Sequence, residues 1–152
     1  MSLLQLTSLG VVAKLVDIAI AHSGAPFISV YPWSSGFGTK YANPSTAIPN
    51  IGVGVAFRPS GNDIAISHSD APNISVYPWS SGFGTKYANP STAVTGLGFS
   101  VSFSPSGNDI AISHSIAPFI SVYPWSSGFG TKYADPSAAI SDSGRGVAFS
   151  PS

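Results

Sequence analysis

The stretch Val76-Tyr77-Pro78-Trp79-Ser80-Ser81-Gly82-Phe83-Gly84-Thr85-Lys86-Tyr87 decides the fold, because the same letters stand at Val30–Tyr41 and again at Val122–Tyr133. Trp33, Trp79 and Trp125 are spaced by 46 residues, and so are His22, His68 and His114. A constant period in this range is the signature of a repeat architecture, in which each period is one supersecondary unit that buries its apolar faces against its neighbours.

Working outward from the stretch, Ile74-Ser75-Val76-Tyr77 alternates as a strand, with Ile74 and Val76 on one face and Ser75 and Tyr77 on the other. Pro78 has no ladder donor, so the strand ends there or lies at an edge. Ser80-Ser81-Gly82 is a tight turn, and Phe83–Tyr87 alternates again, which predicts Phe83, Thr85 and Tyr87 on one face and Lys86 on the other. Asn89-Pro90-Ser91 breaks that strand. Upstream, Asp63-Ile64-Ala65-Ile66-Ser67-His68-Ser69 recurs from Asp17 and from Asp109, two isoleucines flanking a small residue, and Ala71-Pro72 turns it into the stretch. Downstream, Gly98–Pro105 matches Gly52–Pro59, and Ser106-Gly107-Asn108 leads into the next Asp-Ile-Ala-Ile strand.

Each period is therefore expected to hold four short antiparallel strands and no helix, the description of one blade of an all-β propeller. A parallel β-helix needs shorter coils, and a β-trefoil needs larger core triplets and longer strands. Phe57-Arg58-Pro59-Ser60-Gly61 and Phe103-Ser104-Pro105-Ser106-Gly107 resemble the F-S-P-x-G turn of WD40-type blades, and Ile74-Ser75-Val76-Tyr77 resembles the I-x-V-W strand that follows it. The likeness covers nearly the whole chain. Tyr77 and Pro78 stand where the family has its W-D dipeptide, so the family's structural hydrogen-bond network does not carry over. The near-identical copies are also similar to the highly repetitive propellers of tailed-phage and bacterial proteins, which implies a virion or bacterial-surface setting.

Residues 1–14 match the repeat least and are expected to form one degenerate strand, in which Leu9 and Val11 correspond to Val55 and Phe57. Residues 15–152 hold three repeats and end in a lone innermost strand at 146–152. Three blades fall below the usual propeller range of about 4 to 8, so closure by oligomerisation is expected. A homodimer gives six blades and a trimer nine, and the lone terminal strand would complete the first blade of a neighbouring copy, leaving no open edge. A fragment of a longer propeller is the remaining alternative.

Charged residues make up 8% of the chain, against roughly 25% in an average soluble domain, and there is no Glu. Ser, Thr, Asn, Gly and Pro carry the polarity, as in a protein of strands and turns. The net charge is zero and the six basic residues are scattered, which argues against nucleic acid or an anionic membrane as partner. No Cys is present, so disulfides and thiolate metal sites are excluded. The chain is expected to be soluble, without a signal peptide or a membrane-spanning segment; its compartment is open, the virion being one setting.

His22, His68 and His114 close the second strand of each copy, where bonding to a nearby Ser and to backbone is expected rather than metal binding, because no carboxylate or Cys lies near. Asp17, Asp63 and Asp109 are expected to satisfy turn backbone beside Asn62 and Asn108. The glycines at 52, 54, 96 and 98 are expected to let the inner backbone crowd together, and Lys40, Lys86 and Lys132 to guard an outer edge. No nucleophile–base pair, H-E-x-x-H or phosphate loop is present, so neither enzyme activity nor a cofactor is expected. The candidate binding residues are Tyr31, Trp33, Tyr77, Trp79, Tyr123 and Trp125, which either stack on sugars in one shallow site per blade or fill the space between blades. The functional expectation is a structural or recognition module forming an oligomeric ring, with a glycan-binding propeller lectin as the alternative and protein, glycan or itself as partner.

Overall fold

A computed structural model describes residues 4–6, 12–14 and 16–152. The described residues form ten strands and no helix, and every ladder is antiparallel. β1 (Leu4–Leu6) and β2 (Val12–Lys14) make a small hairpin of their own, with Leu6 opposite Val12. The N-terminal segment is thus a pair of short strands where one degenerate strand was expected, and Leu9 and Val11 lie outside the described residues.

Three further sheets follow at the sequence period. The first is β3 (Val16–Ala21) with β4 (Ile28–Trp33); the second is β5 (Gly52–Phe57), β6 (Asp63–His68) and β7 (Ile74–Pro78); the third is β8 (Gly98–Phe103), β9 (Asp109–His114) and β10 (Ile120–Pro124). This is an all-β architecture of small antiparallel sheets, consistent with a propeller-like fold, and among the described residues no sheet closes into a barrel. The turn between the first two strands of a sheet follows from its letters. Pro59 occupies the second position of a turn in which the Gly61 N–H donates to the Arg58 carbonyl at 2.7 Å, and Gly61 takes φ +78°, a conformation open to glycine. Inner strands β5 and β8 each bulge after their first residue, at Gly52/Gly54 and Gly98/Ser100.

The alternation of small and large side chains sets what each face meets. Ile64 and Ile66 face the first sheet and Ala65 faces the third, while Ile74 and Val76 lie on the side opposite Tyr77. Two cores result, one between successive sheets in each case. Ile28, Val30 and Ile48 meet Ile64, Ile66, Tyr77 and Trp79 in one, and Ile74, Val76 and Val94 meet Ile110, Ile112, Tyr123 and Trp125 in the other.

The expected fourth strand is not a full ladder. Phe83 bridges Trp79, the Gly84 N–H donates to the Pro78 carbonyl at 2.8 Å and the Tyr87 N–H to the Val76 carbonyl at 2.9 Å, and the same contacts recur at Phe37–Tyr41 and Phe129–Tyr133. Gly84 sits so close on Pro78 that a Cβ there would lie 3.0 Å from the proline Cβ, which pulls the segment off the strand path. Phe83 and Tyr87 consequently face opposite sides rather than sharing one, Phe83 turning toward the first sheet and Tyr87 toward the third. Residues 146–152 likewise carry no strand ladder.

Candidate functional site

The chemistry of this chain is concentrated where one sheet meets the next, and each junction is built from the same letters. Asp63 begins β6, held there by the turn, and its carboxyl faces the third sheet. Its Oδ2 accepts the indole N–H of Trp125 at 3.0 Å and its Oδ1 accepts the hydroxyl of Tyr87 at 2.8 Å. Asp17 takes the same two partners one repeat earlier, Trp79 Nε1 at 2.9 Å and the Tyr41 hydroxyl at 2.9 Å. The tryptophan is then boxed by rings. Trp125 stands edge-on to Tyr87 at 5.1 Å, Phe103 at 5.9 Å and Phe129 at 5.0 Å, and Trp79 repeats this with Tyr41, Phe57 and Phe83. Buried tryptophan needs a partner for its N–H, and the aspartate of the preceding sheet supplies it.

A second tie crosses each junction. Tyr77 donates its hydroxyl to the Thr46 carbonyl and Tyr123 to the Thr92 carbonyl, both at 2.7 Å. Burial pushes the Tyr77 hydroxyl up to about 12 and raises that of Tyr123 as well. Arg58 reinforces the second junction, reaching Asp63 at 3.3 Å and the Gly107 carbonyl at 2.8 Å. Gly52 and Gly98 let the backbone of one sheet press on the last, since a Cβ would lie 2.1 Å from the Phe27 carbonyl oxygen and 2.4 Å from that of Asn73.

Four of the six aromatic candidates, Tyr77, Trp79, Tyr123 and Trp125, are therefore interior: none is more than 5% exposed. Tyr31 and Trp33 differ, because no sheet covers the face they stand on among the described residues; Trp33 is 37% exposed and the adjoining Phe37 61%. At the other end, Asp109 holds only the Tyr133 hydroxyl, at 2.9 Å, and its Oδ2 has no donor among the described residues. Beside it lies a hollow of about 300 Å³ lined by Ile120, Val122, Tyr133, Ala134, Asp135 and Pro136.

Asp17 and Asp63 thus join successive sheets rather than satisfying turn backbone, which in the third copy falls to Ser104 and Ser106. The signal that would have found them is the recurrence of a polar residue and a tryptophan in every copy, the tryptophan needing an acceptor once buried. The histidines lock their own sheets. His68 and His114 are fully buried, with Nε2 on the Ser75 and Ser121 hydroxyls at 2.9 and 3.0 Å and Nδ1 on the Asp70 and Ile116 carbonyls at 2.8 Å. Burial lowers the pKa of both imidazoles. His22 meets Ser29 at 3.0 Å. Among the described residues no group of three His, Cys, Asp or Glu side chains is placed to hold a metal ion, and no helix is long and apolar enough to cross a membrane.

No protein-family model matches the chain, and no curated protein matches it in sequence. Among solved structures, a Kuenenia stuttgartiensis hydrazine synthase chain is similar in fold, with a TM-score of 0.55 at 14% identity over 78% of this chain. The chain spans 31% of that protein's length, and at this identity the likeness is one of fold alone.

Proposed function

We propose that the chain is a non-enzymatic, self-associating module whose sheets complete a propeller-like ring with those of neighbouring copies, six sheets in a homodimer or nine in a trimer. One observation carries the reading: the junction buried twice inside the chain is left half-built at both of its ends. Ile20 is 43% exposed where its counterparts Ile66 and Ile112 are fully buried, and Ile140 is 40% exposed where Ile48 and Val94 are 2% and 3%. Apolar surface of that kind favours association by roughly 25 cal/mol for each Å² covered. Static light scattering across the micromolar range tests it. The expected mass is an integral multiple, two first, of 15.5 kDa; a monomer at every concentration refutes it.

Tyr31, Trp33 and Phe37 favour a second reading, because they form an exposed aromatic cluster of the kind that stacks on sugars. That cluster occurs once per chain, so the lectin reading now calls for one glycan per chain instead of one per blade. A glycan array together with titration stoichiometry separates the two.

A further inference from the structure

We propose that the two uncovered end faces are the halves of one intermolecular junction, in which Trp33 of one copy donates its indole N–H to Asp109 Oδ2 of the next and Tyr31 fills the hollow beside Val122. This rests on the self-association reading and names the residues that perform it.

Both halves already stand in the geometry of their buried counterparts. On the first sheet, Tyr31 and Trp33 meet Phe37 edge-on at 5.3 and 5.1 Å, as Tyr77 and Trp79 meet Phe83 at 5.3 and 5.1 Å. On the third sheet, Tyr133 already binds Asp109 at 2.9 Å, as Tyr41 binds Asp17 and Tyr87 binds Asp63. These side-chain pairs need no rearrangement before docking, which removes part of the ordering cost of association. The position of the hollow is equally specific. Its lining, Ile120, Val122, Tyr133 and Pro136, corresponds by the repeat to Ile74, Val76, Tyr87 and Pro90, the surface against which Tyr123 packs on its way to the Thr92 carbonyl. The residue that matches Tyr123 and lacks such a seat is Tyr31.

A backbone contribution accompanies the side chains. Gly144 docks on the third sheet as Gly52 docks on the first: its N–H donates to the His114 carbonyl at 3.2 Å, and a Cβ there would lie 2.5 Å from the Phe119 carbonyl oxygen. By the repeat, the residues that follow correspond to an inner strand, while β3 has β4 as its single ladder partner among the described residues. Transferring the register of β5 on β6 places Val147 opposite Ile20 and Phe149 opposite Ile18 of the neighbouring copy. The contact is head-to-tail, since each copy presents both halves and a two-fold face-to-face arrangement would set Trp33 against Trp33 and leave Asp109 without a donor.

The test uses two full-length variants, Trp33→Glu and Asp109→Lys, each confirmed as folded by its circular dichroism and studied by sedimentation velocity. Each alone is expected to lose at least a hundredfold in assembly affinity and to run at the monomer mass. Mixed in equal amounts they are expected to assemble again. In a mixed dimer one junction then pairs Asp109 of the first variant with Trp33 of the second, and the other sets the introduced lysine against the introduced glutamate. Wild type that assembles while either variant assembles unchanged, or a mixture that stays monomeric, overturns this junction alone. Wild type that is itself monomeric overturns the self-association reading and the junction with it.

Discussion

Asp63 and Asp109 carry the same letter in the same register, yet they differ sharply in what depends on them. Asp63 is 2% exposed and satisfies the indole of Trp125, itself 1% exposed, as well as the Tyr87 hydroxyl and one Arg58 nitrogen. Asp63→Ala leaves the Trp125 N–H buried without an acceptor and removes a second hydrogen bond to a charged group. At about 1.5 to 3 kcal/mol for each such bond, the loss amounts to about 3 to 6 kcal/mol. With a urea dependence of about 2 kcal/mol per molar for a chain of this size, the unfolding midpoint falls by roughly 1.5 to 3 M. Asp109→Ala removes only the bond from Tyr133, which is 49% exposed and turns to water instead. Its midpoint stays within error of its parent. Both measurements belong in the Trp33→Glu background, where association between copies does not contribute to the stability of either. Equal shifts at the two positions would refute the reasoning, since they would assign the stabilisation to the local turn that both aspartates share and not to the junction that only Asp63 completes.

Trp125→Ala is expected to cost about 3 to 5 kcal/mol by opening a ring-lined cavity, whereas Trp33→Ala, on an uncovered face, leaves the midpoint of the monomer nearly unchanged; chemical denaturation compares them. Gly98→Ala drives a Cβ against the Asn73 carbonyl and is expected to destabilise by more than about 2 kcal/mol, while Gly24→Ala is neutral, since its Cβ meets nothing and the corresponding positions hold Asp70 and Ile116. Stability also falls on acidification. His68 and His114 have folded pKa values below the unfolded 6.5, so the unfolded chain binds protons first as pH drops, and stability present above pH 6.5 is lost toward the folded values. The slope is about 1.4 kcal/mol per pH unit for each imidazole, and urea midpoints unchanged between pH 7.5 and 5 would contradict it.

The period, the strand positions and the two faces of Asp-Ile-Ala-Ile and Ile-Ser-Val-Tyr were legible because local alternation alone determines them. Longer-range relations were not. Asp63 and Trp125 meet across 62 residues of chain, and nothing within either neighbourhood announces the other. The last alternating segment misled for a different reason: the letters from Phe83 to Tyr87 fit a strand, but the packing of Gly84 on Pro78 bends the path and sends Tyr87 to the next sheet. Whether an aromatic was covered or bare also lay beyond local reading, since Trp33 and Trp125 sit in identical sequence.

The Asp–Trp–Tyr junction joins sheets by contacts that are the same at each step, so it does not register whether its two sides lie on one polypeptide or two. A whole 46-residue unit can therefore be duplicated or lost in the gene without leaving a mismatched seam, because every remaining neighbour still meets the surface it was shaped for. In the proposed ring, chain length and circumference are independent properties: recombination sets the first, and the turn from one sheet to the next sets the second.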